Sequence, residues 1–290
     1  MKILLIRHAQ SMNNIVQAQV HTKITSGKAS EQQAQDEWLS MRQDDPELSP
    51  AGKEQLKRLM EHAKKLPKKS GCKRFRVLTS PMRRACETAK VIVGALNLPT
   101  AEVRGDLCEV GGIYTAQRSP NGQSKSTVQQ GHGKSNGSND DQAAIWIRCV
   151  KLAPSGPWDS GRGFEGTTEA IQRAERLSSW LKSAYLHNEM GQDGMLLLVS
   201  HADFLALLMA VLTNHSTSGH ENNPDIDVSA HGITEATLQG LMAHDAPSVY
   251  QKFRISLACT TLLDISPEGK VRVEWMNKKS HLEGKNCTIS

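Results

Sequence analysis

Nowhere in this 290-residue sequence do cysteines occur as a pair. The six present, Cys72, Cys86, Cys108, Cys149, Cys259 and Cys287, are scattered and form no C-x-x-C. That excludes a disulfide framework and a dithiol redox motif, and leaves the reduced, unpaired thiols of a reducing compartment. Long apolar runs are missing as well. The longest, FLALLMAVL at 204–212, falls well short of a membrane span. No Lys/Arg block with interleaved aromatics occurs, so a formal net charge of +5 suits an anionic small molecule better than a nucleic acid. No apolar leader precedes the first strand, because only Ile3 to Ile6 separate Lys2 from Arg7. Internal repeats are absent. The expectation is a soluble cytoplasmic protein with neither nucleic-acid nor membrane partners.

What is present has the composition of a globular protein, with 38% hydrophobic and 22% charged residues, enough for a core of useful size. KILLI (2–6), FRVLTS (75–80) and MLLLVS (195–200) are continuous apolar runs, the pattern of strands buried on both faces. LACTTLLDIS (257–266) and KVRVEWM (270–276) read as two strands joined by the turn PEG. Helical patterns lie between. SPAGKEQLKRLMEHAKKL starts with Ser49 as N-cap and Pro50 at the first helical position, and carries an apolar stripe of Leu56, Leu59, Met60, Ala63 and Leu66. SPMRRACETAKVIVGAL repeats that start with Ser80 and Pro81. TEAIQRAERLSSWLKSAYL is amphipathic through Ile171, Ala174, Leu177, Leu181 and Ala184, and DFLALLMAVL, apolar all round, predicts an interior helix. The alternation predicts an α/β fold with a mostly parallel sheet. It is read as one domain over 1–290, with polar insertions at about 15–46, 110–163 and 213–250. EQQAQDEWLSMRQ in the first insertion is a helix candidate. Residues 117–142, whose single apolar residue is Val128, are expected to be disordered.

The chemistry gathers where strands end. The first strand ends in Arg7-His8, the second in Thr79-Ser80 before a helix with Arg83 and Arg84 in its first turn, and the third in Ser200-His201. In open α/β sheets ligands bind outside the carboxyl ends of the strands. A strand-end histidine alone is ordinarily a hydrogen-bonded structural residue. Two arginines and two histidines together are costly to bury without an anionic partner. With helix N-termini beside them they describe an anion site, most naturally for phosphate. The best metal-like cluster, Asp225, Asp227 and His231, lies among turn-forming residues and reads as a solvated loop. No metal and no cofactor is expected.

These same segments resemble, in order, the motifs of the histidine phosphatase superfamily, which includes the phosphoglycerate mutases. IRHAQSMNN resembles R-H-G-x-S-x-x-N, and DPELSPAGKEQL is similar to P-L-T-x-x-G-x-x-Q. TSPMRRACETA resembles S-x-x-x-R-A-x-x-T-A, and LCEVGG resembles the L-x-E-x-x-G that carries the family's acid. LLLVSHADFLALLM resembles V-S-H-G followed by a helix, and MNKKSHL the closing N-x-x-x-H-L, so the likeness spans residues 2 to 282. It implies a phosphoglycerate mutase-like, three-layer α/β/α sandwich. It implies His8 as nucleophile, Arg7, Arg84 and His201 as the remaining phosphate pocket, Asn14 as a further phosphate ligand and Glu109 as general acid. By the same motif the pocket arginine is Arg84, directly before Ala85, with Arg83 at the rim or in solvent.

The roles make opposite demands on the two imidazoles. His8 must be neutral to attack, whereas His201 is expected to act as a protonated donor to the phosphoryl oxygens. Two positions depart from the motifs. Ala9 replaces glycine, and Ala202-Asp203 replaces the glycine after the second histidine, placing a carboxylate near His201. Residues 15–46 lack the G-W-x-D-like element of the true mutases. The expected activity is therefore that of a metal-independent histidine acid phosphatase, a phosphoric monoester hydrolase working through a phosphohistidine. A phosphorylated small molecule is the expected substrate and a phosphoprotein the second candidate. Mutase-type phosphoryl transfer and a catalytically weak phospho-ligand-binding scaffold are the alternatives. No signature marks the substrate or the oligomeric state.

Overall fold

A strand that is apolar at successive positions needs cover on both faces. β1 (Lys2–Arg7) has it: Ile3 and Leu5 enter one core, Leu4 and Ile6 the other. The computed structural model describes residues 1–43, 45–111, 147–149, 165–186, 190–191, 193–214 and 253–283. After β1 come α1 (Met12–Thr25), α2 (Glu31–Met41), α3 (Pro50–Lys64), the short α4 (Leu66–Ser70), β2 (Arg74–Thr79) and α5 (Arg83–Ala95). β3 (Ala101–Val103), one 3-10 turn (Gly105–Leu107) and β4 (Ile147–Cys149) follow. The remainder is α6 (Thr167–Leu186), β5 (Gly194–Ser200), α7 (Ala202–Asn214), β6 (Thr260–Ile265) and β7 (Val271–Lys278).

The strands form one sheet in the order β4-β3-β2-β5-β1-β6-β7. β4 through β1 are parallel in that order, and β6 and β7 add an antiparallel edge. Leu196 and Leu198 of β5 share a core with α6 and α7, while Met195, Leu197 and Val199 share the opposite core with α3, α4 and α5. The result is the three-layer α/β/α sandwich. α7 is buried on every side from Phe204 to Leu212, as its unbroken apolar run requires. The PEG turn closes with Gly269 at φ +78°, in the left-handed region where glycine carries no Cβ penalty.

Two local expectations change. α3 starts where Ser49 predicts, with its Oγ accepting the Gly52 N–H at 3.0 Å. α5 does not start at Ser80-Pro81 but at Arg83. The Ser80 hydroxyl is turned to His201, 2.8 Å away, and the Asp45 carboxylate accepts the Arg83 N–H at 3.0 and 3.1 Å, capping α5 from another segment. The stretch 15–46 holds the expected α2 and also most of α1, whose scattered apolar residues form no stripe that would reveal it; Val16 and Val20 pack on Ala34 and Trp38.

Cys72, Cys86, Cys108 and Cys259 are buried. No described helix is long and apolar enough to cross a membrane. Residues 117–142, most of the stretches 110–163 and 213–250, and the Asp225, Asp227, His231 cluster lie outside the described residues.

Candidate active site

Strand register brings the candidate residues to one edge of the sheet. β1 pairs with β5 so that Arg7 opposes Ser200, and β2 pairs with β5 so that Thr79 opposes Val199. The ladder continues one step beyond each strand, with His8 N–H donating to Ser200 O at 3.0 Å and Ser80 N–H to Val199 O at 2.9 Å. The chain runs outward from β1 to β4 and then returns to insert β5 between β2 and β1. The crevice therefore lies at the carboxyl ends of strands where the winding reverses.

His8 and His201 face each other there, ring centroids 5.0 Å apart and planes tilted by 58°. His8 is 3% exposed and its tautomer follows from its partners. Nδ1 lies 2.7 Å from Ala9 O, which can only accept, so Nδ1 carries the proton. Nε2 lies 3.1 Å from Arg84 Nε–H, which can only donate, so Nε2 offers a lone pair. Burial, then the Arg84 and Arg7 charges, push the His8 imidazole well below its usual range, so it is neutral near pH 7.

His201 is fully buried, with Nε2 2.8 Å from Ser80 Oγ. Burial, then Arg84, His8 and Arg7, lower it as well. With protein groups alone around it, this ring too is held toward its neutral form. Its Nδ1 and the Arg7 Nε are buried without a hydrogen-bond partner among the described residues.

The arginines are held differently. Arg7 is 8% exposed, donates Nη1–H to Ile255 O at 3.2 Å, and is lowered to about 10 by burial against the opposing pull of Glu109. Arg84 sits 3.9 Å from the Asp45 carboxylate. Arg83 points to solvent and pairs with Glu47 and Glu87, as expected. Arg84 bonds the His8 ring, and the charge of Arg7 is felt by both rings, a pairing of cations suited to a phosphoryl dianion.

Glu109 lies within electrostatic reach of both arginines. Its Oε1 accepts the N–H groups of Val110 and Phe204, each at 3.0 Å, the second in the first turn of α7. Asp203 of the same turn is raised to about 8 by burial first and the Glu109 charge second, with Arg7 and Arg254 opposing. Asn14 sits in the first turn of α1, where its Oδ1 accepts from Ser11 N–H at 3.0 Å and Ser11 Oγ–H at 2.9 Å, orienting its amide. No group of three His, Cys, Asp or Glu side chains among the described residues could hold a metal ion.

Residues that touch none of these rings hold them in place. Thr88 Oγ1 accepts the Ala9 N–H at 3.1 Å, and Gln55 Oε1 accepts the Gln10 N–H at 2.9 Å. A Cβ on Gly52 would fall far inside van der Waals contact with Gln10 O, so only glycine lets α3 approach residue 10. The C-terminal Asn277 and His281 grip the segment beneath. Asn277 Oδ1 accepts Ser256 N–H at 2.8 Å, and His281 Nε2–H donates to Ala258 O at 2.9 Å. In turn Ala258 N–H donates to His8 O at 3.3 Å. Asp45, Ser80 and Arg173 were not singled out as site residues from sequence. Ser80 alone had a usable signal, since it ends a strand level with the two histidines.

A family model described as histidine phosphatase superfamily (branch 1) matches residues 3–224. Among solved structures, a mycobacterial hydrolase (mycobacterial hydrolase 1) matches with a TM-score of 0.50 and 17% identity, covering 96% of this chain and 98% of its own. The ecdysone phosphate phosphatase from Bombix mori in complex with tungstate matches with a TM-score of 0.50 and 13% identity, covering 95% of this chain and 92% of its own. Both share the fold. No curated protein sequence matches the chain.

Proposed function

The chain belongs to the histidine phosphatase superfamily, branch 1, and from that premise we propose that it hydrolyses a phosphomonoester through a phosphohistidine formed on His8. One observation carries the reading. His8 is locked in the tautomer that turns an unprotonated Nε2 toward Arg84, beside a second buried histidine and within the charge of the buried Arg7.

In the first step Nε2 attacks phosphorus and the bond from phosphorus to the leaving oxygen breaks. Arg7, Arg84 and His201 stabilise the charge on the nonbridging oxygens, and the Asn14 amide adds a donor. Glu109, having taken up a proton as the substrate dianion binds, gives it to the leaving oxygen. In the second step water attacks phosphorus, the nitrogen–phosphorus bond breaks, Glu109 takes the water's proton, and inorganic phosphate leaves with His8 restored.

Two arginines beside the histidine pair suit a phosphorylated small molecule. The missing mutase-type element in residues 15–46 favours transfer to water over transfer between substrate hydroxyls. The test is phosphate release from a phosphomonoester panel with acid-quench trapping of phosphohistidine, in the wild type and in His8→Ala. Labelled His8 and an inert, folded His8→Ala support the reading. Bisphosphoglycerate-dependent isomerisation of 3-phosphoglycerate without net hydrolysis would replace it with mutase chemistry, and a wild type inert toward every ester would leave a phospho-ligand-binding protein.

A further inference from the structure

A buried arginine needs partners for a planar fork of five donors. Arg173, on α6 and 8% exposed, uses its fork on one short piece of backbone. Nη1 donates to the carbonyls of Asp106 at 2.8 Å and Cys108 at 3.0 Å, and Nη2 to that of Glu109 at 3.3 Å. Nε and Nη2 grip the Glu165 carboxylate at 2.7 and 2.6 Å. The face of the guanidinium lies 4.0 Å from the centre of the Phe204 ring.

An arginine that only filled space could satisfy its charge on Glu165. Here three of the four successive carbonyls from Asp106 to Glu109 are bound by Arg173. The fourth, Leu107 O, accepts from the hydroxyl of Ser200, next to His201, at 2.7 Å. Phe204, under the guanidinium, is also the residue whose N–H reaches Glu109 Oε1. One side chain thus touches both the turn that carries Glu109 and the residue that holds its carboxylate. We propose that Arg173 is the positioning residue for the Glu109 carboxyl, fixing it at the crevice from a helix that supplies no group to the reacting atoms. The inference rests on Glu109 being the proton donor of the proposed hydrolysis.

Proton donation can be read apart from general stability. A 4-nitrophenolate leaves without a proton, whereas an alkoxide requires one. kcat/KM is measured for 4-nitrophenyl phosphate, phenyl phosphate and an alkyl phosphate in the wild type, Glu109→Gln and Arg173→Lys, with circular dichroism and Tm as folding checks. Arg173→Lys keeps the charge and loses the fork. Because general acid catalysis is worth roughly 10²–10⁴-fold, both variants are expected to lose at least about tenfold more on the alkyl ester than on the nitrophenyl ester.

A leaving-group-dependent loss in Glu109→Gln with an even loss, or none, in Arg173→Lys overturns the inference and keeps the acid assignment. An even profile in Glu109→Gln removes Glu109 as the acid and the inference with it. Should Arg173→Lys not fold, Glu165→Gln loosens the anchor while keeping the three carbonyl bonds. A smaller loss with the same ordering of esters supports the inference, and an even profile overturns it.

Discussion

The Nε–H of Arg84 donates to Nε2 of His8 across 3.1 Å, so a permanent cation caps the lone pair proposed to attack phosphorus. The contact keeps a proton off that nitrogen and turns the ring toward the position the arginine must also serve. A phosphoryl group bound by Arg84 would draw the guanidinium onto its oxygens and release the lone pair toward phosphorus. The charge that depresses the His8 imidazole is thus also the charge that recruits its target.

Arg84→Met removes the largest of the neighbouring charges lowering His8. The His8 pKa is expected to rise, and since attack needs the neutral ring, the acidic limb of the kcat/KM profile moves to higher pH. kcat falls by about 10²-fold or more, the scale for losing one donor to developing charge. An unmoved limb in a pH–rate titration would show that His8 does not set it.

Asp203 is raised to about 8, so it is protonated at neutral pH and ionises as pH rises through that value. Its carboxylate would then face an incoming phosphate dianion. The wild-type kcat/KM is expected to fall above pH 8, and Asp203→Asn to keep its plateau there with near-wild-type activity at pH 7. Matching alkaline limbs in the two enzymes would exclude Asp203 as the cause.

Gly52→Ala drives a methyl into Gln10 O. Overpacking of this kind costs about 1–3 kcal/mol, read as a lower urea midpoint. Because residue 10 is two positions beyond His8, kcat should fall as well. A variant of wild-type stability and turnover would mean that α3 and residue 10 can separate freely.

His62 stacks on His281 with ring centroids 4.5 Å apart, and burial first and His281 second lower it to about 4. The unfolded chain binds its proton near pH 6.5, so between about 6.5 and about 4 the unfolded state holds more protons. Stability contributed at neutral pH is therefore lost as pH falls through that window. His62→Gln removes one such contribution, and its stability relative to wild type is expected to be better at pH 5 than at pH 7 by urea denaturation. An equal difference at both pH values would refute the assignment.

The long strands and the histidines at their ends were legible because apolar runs and strand-end residues carry local signals. β3 and β4, three residues each, are too short for any pattern to emerge. α1 was hidden because its apolar residues, Met12, Ile15, Val16, Ala18, Val20 and Ile24, gather on no single face, and only Val16 and Val20 are buried. The Ser80-Pro81 pair imitated a helix start, but tertiary contacts with His201 and Asp45 overrode it. Arg173 left no trace in sequence, since a charged residue beside an amphipathic stripe reads as solvent-facing; its partners lie some sixty residues earlier in the chain.

The register of β1 on β5 has a consequence for how the protein matures. Sliding one strand by a single residue would exchange Ile3 and Leu5 for Leu4 and Ile6 between the two cores and carry residue 8 out of line with residue 201. Those residues lie nearly two hundred positions apart in the sequence, so their meeting must await the closure of a very large loop. Hydrolysis of a chromogenic ester during refolding would then time the closing of the sheet rather than the formation of helices, because a half-assembled chain has no working centre to report.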